Sequence, residues 1–342
     1  MPAPVLGTQP GYVPRAALRR PRSADTSTRA RGGTSALASR ITPRDLWLLQ
    51  MLHEHRVLTT HHITALWNVS HRVTNRRLRA LYHFHALDSF RPLTRQGSAP
   101  EHYTLGRAGA EILAARYGTE ISHLGWRTDL ATRTAFSPAL GHDLAVHTLL
   151  VTLAARHHQN PDQALTTWLS PRSAARLWGD WIRPDAYAHW RHHTTEVPFF
   201  LEHDTGTEAL HRVEAKLAGY AELSASTATA TPLLIHTSSA ARETHLRRRL
   251  GDTAASTGLL VATTHHGLPA HATAGAWLPL HPPTSTRQAL DGLATYWPGI
   301  TPALTDQSVE AAAAATAAGR GAFAWQPIPP LPPAPTRQPP AS

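Results

Sequence analysis

The chain of 342 residues has no cysteine, so disulfides and thiolate metal sites are excluded at once. Lysine is almost absent. Lys216 stands alone against an arginine-dominated basic set. With the many alanines this suggests a compositional bias, so a preference for arginine carries little functional weight by itself. No apolar run approaches the roughly 18 residues of a membrane span. Pro, Gly and Arg interrupt the N-terminus, where a secretory signal would need an apolar stretch. A cytoplasmic address and no membrane partner are the expectations that follow. No G-x-x-x-x-G-K-[ST] loop, G-x-S-x-G elbow or His-Glu-x-x-His motif occurs. That removes the usual signatures of ATP-driven work, of serine hydrolysis and of zinc chemistry. Eight of the 24 His fall in adjacent pairs, His61-His62, His157-His158, His192-His193 and His265-His266, whose side chains diverge in a helix or strand.

What is present is positive charge, placed at one end. Residues 1–40 carry seven Arg against one Asp, and residues 41–120 carry ten Arg against six acids. Basic and acidic side chains balance over the rest, so the formal +10 lies wholly in the first 120 residues. A basic N-terminal third on a neutral remainder predicts a polyanion partner held at one end, with double-stranded DNA the first candidate.

Residues 1–38, rich in Pro, Gly, Ser, Thr and Arg without periodicity, read as a disordered basic leader. Order is predicted to begin at Thr42-Pro43-Arg44-Asp45, where Thr caps, Pro suits the first helical position and Asp favours the positive end of the helix dipole. Helices follow at 60–67 and from Ser70 to about Phe84, then strands at 89–92 and 101–105 around a turn through Gln96-Gly97-Ser98, then a helix from Arg107. Three helices, a hairpin and a trailing helix over 39–120 make a winged helix-turn-helix pattern. On a helical wheel of the third helix Val73, Ala80 and Leu81 are placed inward. Arg72, Asn75, Arg76 and Arg79 are placed outward as the recognition face, since Arg reads guanine edges and Asn reads adenine edges in the major groove. Arg91 and Arg95 in the wing are placed against phosphate or the minor groove.

Residues 121–139 read as a linker, and 140–300 as a second, α/β domain. Its pattern is a helix from 140, strands near 164–169, 181–190 and 197–203, a helix over 207–223, a strand over 232–237, a helix from 240 and a strand over 258–264. Residues 301–342 read as an Ala- and Pro-rich flexible tail. The fold class is thus α+β. Within the second domain acids fall where strands should end: Asp185 after Pro184, and Glu202-His203-Asp204 after an apolar run, with Lys216 in the next helix. Glu202 and Asp204, two apart, share a strand face. Oxygen ligands gathered at a strand edge suit a hard divalent cation, so Asp185, Glu202 and Asp204 are candidate Mg²⁺ ligands. With Lys216 they would form a catalytic group for phosphodiester chemistry.

The stretches Ile41-Thr42-Pro43-Arg44-Asp45, Arg56-Val57-Leu58-Thr59-Thr60, Arg76-Arg77-Leu78, Tyr103-Thr104-Leu105-Gly106-Arg107-Ala108-Gly109-Ala110, Arg183-Pro184-Asp185, Glu202-His203-Asp204-Thr205-Gly206-Thr207-Glu208, Lys216-Leu217 through Tyr220, and Arg242-Glu243 after a strand resemble the replication-relaxation proteins of actinobacterial plasmids and mobile elements. The resemblance implies a role in plasmid replication or in the topological state of plasmid DNA, with replication or conjugation proteins as partners. The second domain also resembles the PD-(D/E)XK nuclease fold, with an αβββαβ core. By position Asp185 matches the first metal ligand of that fold and Glu202 the second. Asp204 stands where the pattern expects Lys, and Lys216 is placed to substitute from the helix. Three readings stay open: a DNA-binding plasmid-maintenance protein with a nuclease-like domain, a non-enzymatic winged-helix transcriptional or copy-number regulator, and an active Mg²⁺-dependent endonuclease or nickase.

Overall fold

The computed structural model describes residues 18–19, 39–92, 98–268, 275–320 and 325–335. Among them the chain is a mixed α+β protein with two sheets and eleven helices. Helix α1 (Pro43–His55) starts on a capping box, with Thr42 and Asp45 each bonding the other's backbone and Pro43 in the first turn. Helix α2 (Thr60–Trp67) starts on a second box built from Thr59 and His62 and stops at Asn68, whose φ of 50° ends it in the left-handed region. Ser70 then caps α3 (His71–His83) by accepting from the Val73 amide. Strands β3 (Leu87–Pro92) and β4 (His102–Leu105) form an antiparallel hairpin. β2 (Leu58–Thr59) adds to β4, and β1 (Leu18–Arg19) adds to β3 across Pro92 and Arg91. The expected disorder of the leader therefore fails at these two residues, and the rest of residues 1–38 lies outside the described ones. Helix α4 (Arg107–Arg116) packs so close to the 85–87 turn that a Cβ on Gly106 or Gly109 would collide with the carbonyl oxygen of His85 or Ala86. Those two glycines are required by close approach.

The stretch expected as a linker is structured. It holds a 3₁₀ turn at Ile121–Leu124 and helix α5 (Leu130–Ala135), buries Leu124, and ties the Trp126 indole N–H to Leu105 O at 2.8 Å. Leu124 and Trp126 are large enough to anchor what the short polar stretches around them make look irregular.

The second sheet has six strands in the order β10-β9-β8-β7-β6-β5. β5 (Gln163–Leu169), β6 (Ala186–His192) and β7 (Thr195–Asp204) run antiparallel, whereas β8 (Leu233–Thr237) and β9 (Val261–His265) lie parallel to β7. The parallel steps need crossovers, supplied by α8 (Leu210–Thr227) and α9 (Ala240–Thr257). β10 (Leu278–Pro279) closes the far edge antiparallel to β9. The strand expected from Trp181 begins at Ala186, after Pro184, which has no N–H to give a ladder. A helix absent from the sequence reading, α7 (Pro171–Trp178), sits between β5 and β6, capped by Ser170 with Pro171 in its first turn.

Helix α6 (Leu140–Ala155) packs on α2 on one side and on β5 and β7 on the other. One apolar cluster accordingly runs from Trp47, Leu66 and Leu81 through Leu150 to Trp190, Leu201 and Leu234. A second cluster, with Tyr187, Phe200, Leu217 and Ile235, fills the opposite face of the six-stranded sheet under α8 and α9. The chain beyond 300 is held as well, against the expected flexible tail. After the short α10 (Gly292–Tyr296), helix α11 (Asp306–Arg320) buries Ala312. Trp325 is buried, Ile328 and Leu331 pack on the main core, and Trp47 donates its indole N–H to Pro329 O at 2.7 Å. Residues 321–324 and 336–342 of that tail lie outside the described ones.

Candidate functional site

Helix α3 buries Thr74, Leu78 and Leu81, a ridge of i, i+4 and i+7 positions. Thr74 can be buried because its hydroxyl bonds Ser70 O at 3.3 Å. Arg72, Arg76 and Arg79 lie exposed on the side opposite that ridge. Asn75 is half-buried on the flank and bonds the His71 ring at 2.9 Å. Val73, expected to face inward, is 42% exposed and stands among the arginines, and Ala80 is half-buried. The reason is a rotation of the buried ridge toward Thr74, which an apolar-only reading of the wheel misses. Arg77, on the remaining side, forms an ion pair with Asp45 and donates to Arg40 O at 2.9 Å. Asp45 is 1% exposed, so α3 is fixed to the start of α1 through a buried carboxylate.

In the hairpin Arg91 is engaged by its neighbour strand, with Nε 2.9 Å from Glu101 Oε2 and Nη1 3.2 Å from Ser98 Oγ. It is still partly exposed. Arg95 and Gln96-Gly97 of the expected turn lie outside the described residues.

On β7 the side chains of Glu202 and Asp204 share one sheet face with Phe200, and the intervening His203 takes the other. Glu202 is buried, with Oε2 2.9 Å from Lys216 Nζ and Oε1 accepting from the Tyr220 hydroxyl at 2.7 Å. Lys216 and Tyr220 are one helical turn apart on α8, so a single helix face supplies both donors. Burial, reinforced by the charge of Asp185, pushes the Glu202 carboxyl up to about 7 even though Lys216 and Tyr220 pull it down. Burial disfavours the Lys216 ammonium, but Glu202 and Glu208 outweigh it and hold the amine above its usual range. Glu208 lies 3.3 Å from the same Nζ.

Asp185, at the mouth of β6, accepts from the backbone N–H of His203 at 2.7 Å and from His142 Nε2 of α6 at 2.8 Å. The bond to Asp185 raises the His142 ring above the usual histidine range. Asp204 is taken by Arg242 of α9 in a two-point contact, 2.6 Å to Oδ2 and 3.1 Å to Oδ1. Its Oδ1 also accepts from Gly206 N at 2.8 Å, in a turn whose φ of 84° favours glycine.

Each of the three carboxylates has its own protein partner: Asp185 with His142, Glu202 with Lys216 and Tyr220, Asp204 with Arg242. Among the described residues no group of three or more His, Asp or Glu side chains gathers closely enough to hold a metal ion. Both oxygens of Glu202 and both of Asp204 are occupied by protein donors, so this donor set as arranged does not fit the expected Mg²⁺. His142, Tyr220 and Arg242 were not among the candidate residues. Tyr220 and Arg242 sit one turn after Lys216 and just after β8, while nothing in the sequence ties His142 to Asp185.

The arrangement defines a two-sheet α+β protein that exposes a basic helix on one unit and, on the other, buries a carboxylate and a tyrosine beside a partly exposed lysine. A family model described as replication-relaxation matches residues 49–237, more than half of the chain, and the chain belongs to that family. The match takes in α3, Asp185, Glu202, Asp204 and Lys216, whereas Arg242 lies beyond it. No curated protein and no solved structure matches the chain. No helix among the described residues is long and apolar enough to cross a membrane.

Proposed function

We propose that the chain binds double-stranded DNA through a winged helix-turn-helix formed by residues 39–120, and that it serves the replication or relaxation of plasmid or mobile-element DNA. The observation that carries this reading is the exposed row Arg72, Arg76 and Arg79 on α3, opposite the buried Thr74, Leu78 and Leu81. An α-helix fits the B-DNA major groove, and guanidinium groups at its N-terminal half reach base edges there. The order α1, α2, α3, β3, β4, α4 supplies the helix pair and the hairpin wing. The family supports a replication or relaxation role. The N-terminal concentration of charge gives the non-specific attraction on which base reading is superposed.

The order α6, β5, β6, β7, α8, β8 supports a nuclease-like reading of the second unit, with α7 as an addition. The pairing of Asp204 with Arg242, and of Glu202 with Lys216 and Tyr220, supports a non-enzymatic role for that unit, its carboxylates tying β6, β7, α8 and α9 together.

Two measurements test the reading. In gel shifts at moderate salt, Arg72→Ala and Arg76→Ala should each weaken binding to a selected duplex by ~1–3 kcal/mol. Binding equal to that of the unmodified protein in both variants would remove α3 as the reader. Supercoiled plasmid incubated with the protein and Mg²⁺ should stay supercoiled. Nicked product that disappears in Glu202→Gln would restore the endonuclease reading.

A further inference from the structure

Between the two units lies a cavity of about 560 Å³, walled by the end of α1, by α5, by the first turns of α6 and α7, and by Asp185. That volume falls within the range of small-ligand sites and is ample for a nucleotide. Four arginines line it: Arg56, Arg127, Arg133 and Arg172. Three carboxylates, Glu54, Asp143 and Asp185, also line it. Glu54 is buried, with Oε1 accepting from Ser170 N at 3.0 Å and from Ser170 Oγ at 2.6 Å, and its Oε2 lies 3.9 Å from Arg172 Nη2. Asp185 is countered by His142 at 2.8 Å, and the Asp143 carboxyl, raised by burial, is drawn back down by the charges of His142 and Arg56. Arg127 and Arg133 share one carboxylate, Asp129, at 3.2 and 4.0 Å, so this pair carries one guanidinium more than acid.

Two further features mark the wall as built for a ligand. Arg56 forms no hydrogen bond or ion pair through its side chain among the described residues. Its backbone is held at φ 68°, in a tight turn closed by Val57 N donating to His55 O at 2.8 Å. A non-glycine residue in that region is strained, and such strain gathers at binding and catalytic positions. Arg172 donates to His53 O at 2.6 Å, yet its Nε is buried without a partner. A buried guanidinium N–H left unpaired costs free energy that an anion's oxygen would recover. Thr134 and Ser137 bring neutral hydroxyls to the same wall, and the N-terminus of α7 at Pro171 and Arg172 adds the positive end of a helix.

We infer that this cavity binds the phosphate of a nucleotide through Arg56, Arg127, Arg133 and Arg172. The phosphate can belong to a free nucleotide or to the end of a DNA strand, and the two present the same chemistry to the arginines. The site is separate from α3 and does not depend on its reading duplex DNA.

Calorimetry on the full chain tests this with three probes: pyrophosphate, thymidine 5′-monophosphate and a 5′-phosphorylated trinucleotide. Saturable one-to-one binding of at least one probe is expected. Arg56→Ala and Arg133→Ala, both on exposed positions, should each weaken it by about tenfold, the loss of one charge-assisted bond. Binding of the monophosphate as tight as that of the trinucleotide identifies a free nucleotide as the ligand, and binding of the trinucleotide alone identifies a strand end. Arg72→Ala with Arg76→Ala should leave probe binding intact, so failure of the α3 reading and failure of this one are distinguishable. No saturable binding of any probe, or binding unchanged in the Arg56→Ala, Arg133→Ala double variant of confirmed fold, would overturn the inference.

Discussion

Glu202 accepts two hydrogen bonds on a carboxyl that burial drives up to about 7, so its charge state changes within an accessible pH range. Its folded pKa is above that of an unfolded glutamate, 4.5, so protonation favours the folded chain below that value and the advantage is lost as pH rises toward 7. Above that window the buried carboxylate depends on Lys216 for its counter-charge. Lys216→Met should therefore destabilise the protein more at pH 8 than at pH 5. Lys216 is itself partly exposed, so the penalty of an unpaired buried charge is reduced by solvent to about 1–2 kcal/mol at the higher pH. Urea unfolding at the two pH values measures it, and an equal loss at both would show that Glu202 is not the group concerned. Tyr220→Phe leaves Oε1 without its donor and should lift the carboxyl further, widening the same window upward.

Helix α3 shows what an element's sequence reveals and what it hides. Its cap, Ser70, and its outward arginines are legible because side-chain chemistry and helical spacing agree there. The exposed place of Val73 is not legible, since Thr74 takes the buried position and satisfies its hydroxyl within the helix. An apolar side chain among Arg72 and Arg76 suits the 5-methyl of thymine. Replacing thymine by uracil, position by position, in a selected duplex should weaken binding at one step, and Val73→Ser should abolish that dependence. A site indifferent to every such replacement would deny Val73 that contact. Fixing the helix is the task of Arg77. Arg77→Ala leaves the carboxylate of Asp45 buried and half-compensated by its own capping box, for an expected loss of about 2–4 kcal/mol in thermal or urea unfolding. The pairing of Asp204 with Arg242 was beyond sequence reasoning for a different reason. Strand alternation gives a face but not the partner, and the partner Arg242 comes from a helix 38 residues further on. Helix α7 carried its signals, Ser170 and Pro171, in a stretch too short for a periodic pattern to stand out.

At the scale of the whole molecule the sequence suggests two beads on a linker, and the structure joins them. Glu54 of α1 accepts from Ser170, Arg172 donates to His53 O, the His62 ring lies 3.0 Å from the Thr148 hydroxyl, and Trp47 bonds the C-terminal segment at Pro329 O. Those contacts sit on one apolar cluster that runs from α1 through α6 into the six-stranded sheet. Elements that share buried side chains lose them together, so the two units should unfold as one. Calorimetry should give a single transition whose calorimetric and van't Hoff enthalpies agree. Residues 39–120 expressed alone would expose Leu66 and Trp67 where α6 now covers them, and should not fold cooperatively. Glu54→Ala removes the acceptor for two buried donors of Ser170 and should lower the midpoint of that one transition rather than split it. Two resolved transitions, with Glu54→Ala moving only one of them, would show that the shared cluster does not couple the units. The α3 face would then act on a domain free to turn independently of the arginine-lined cavity.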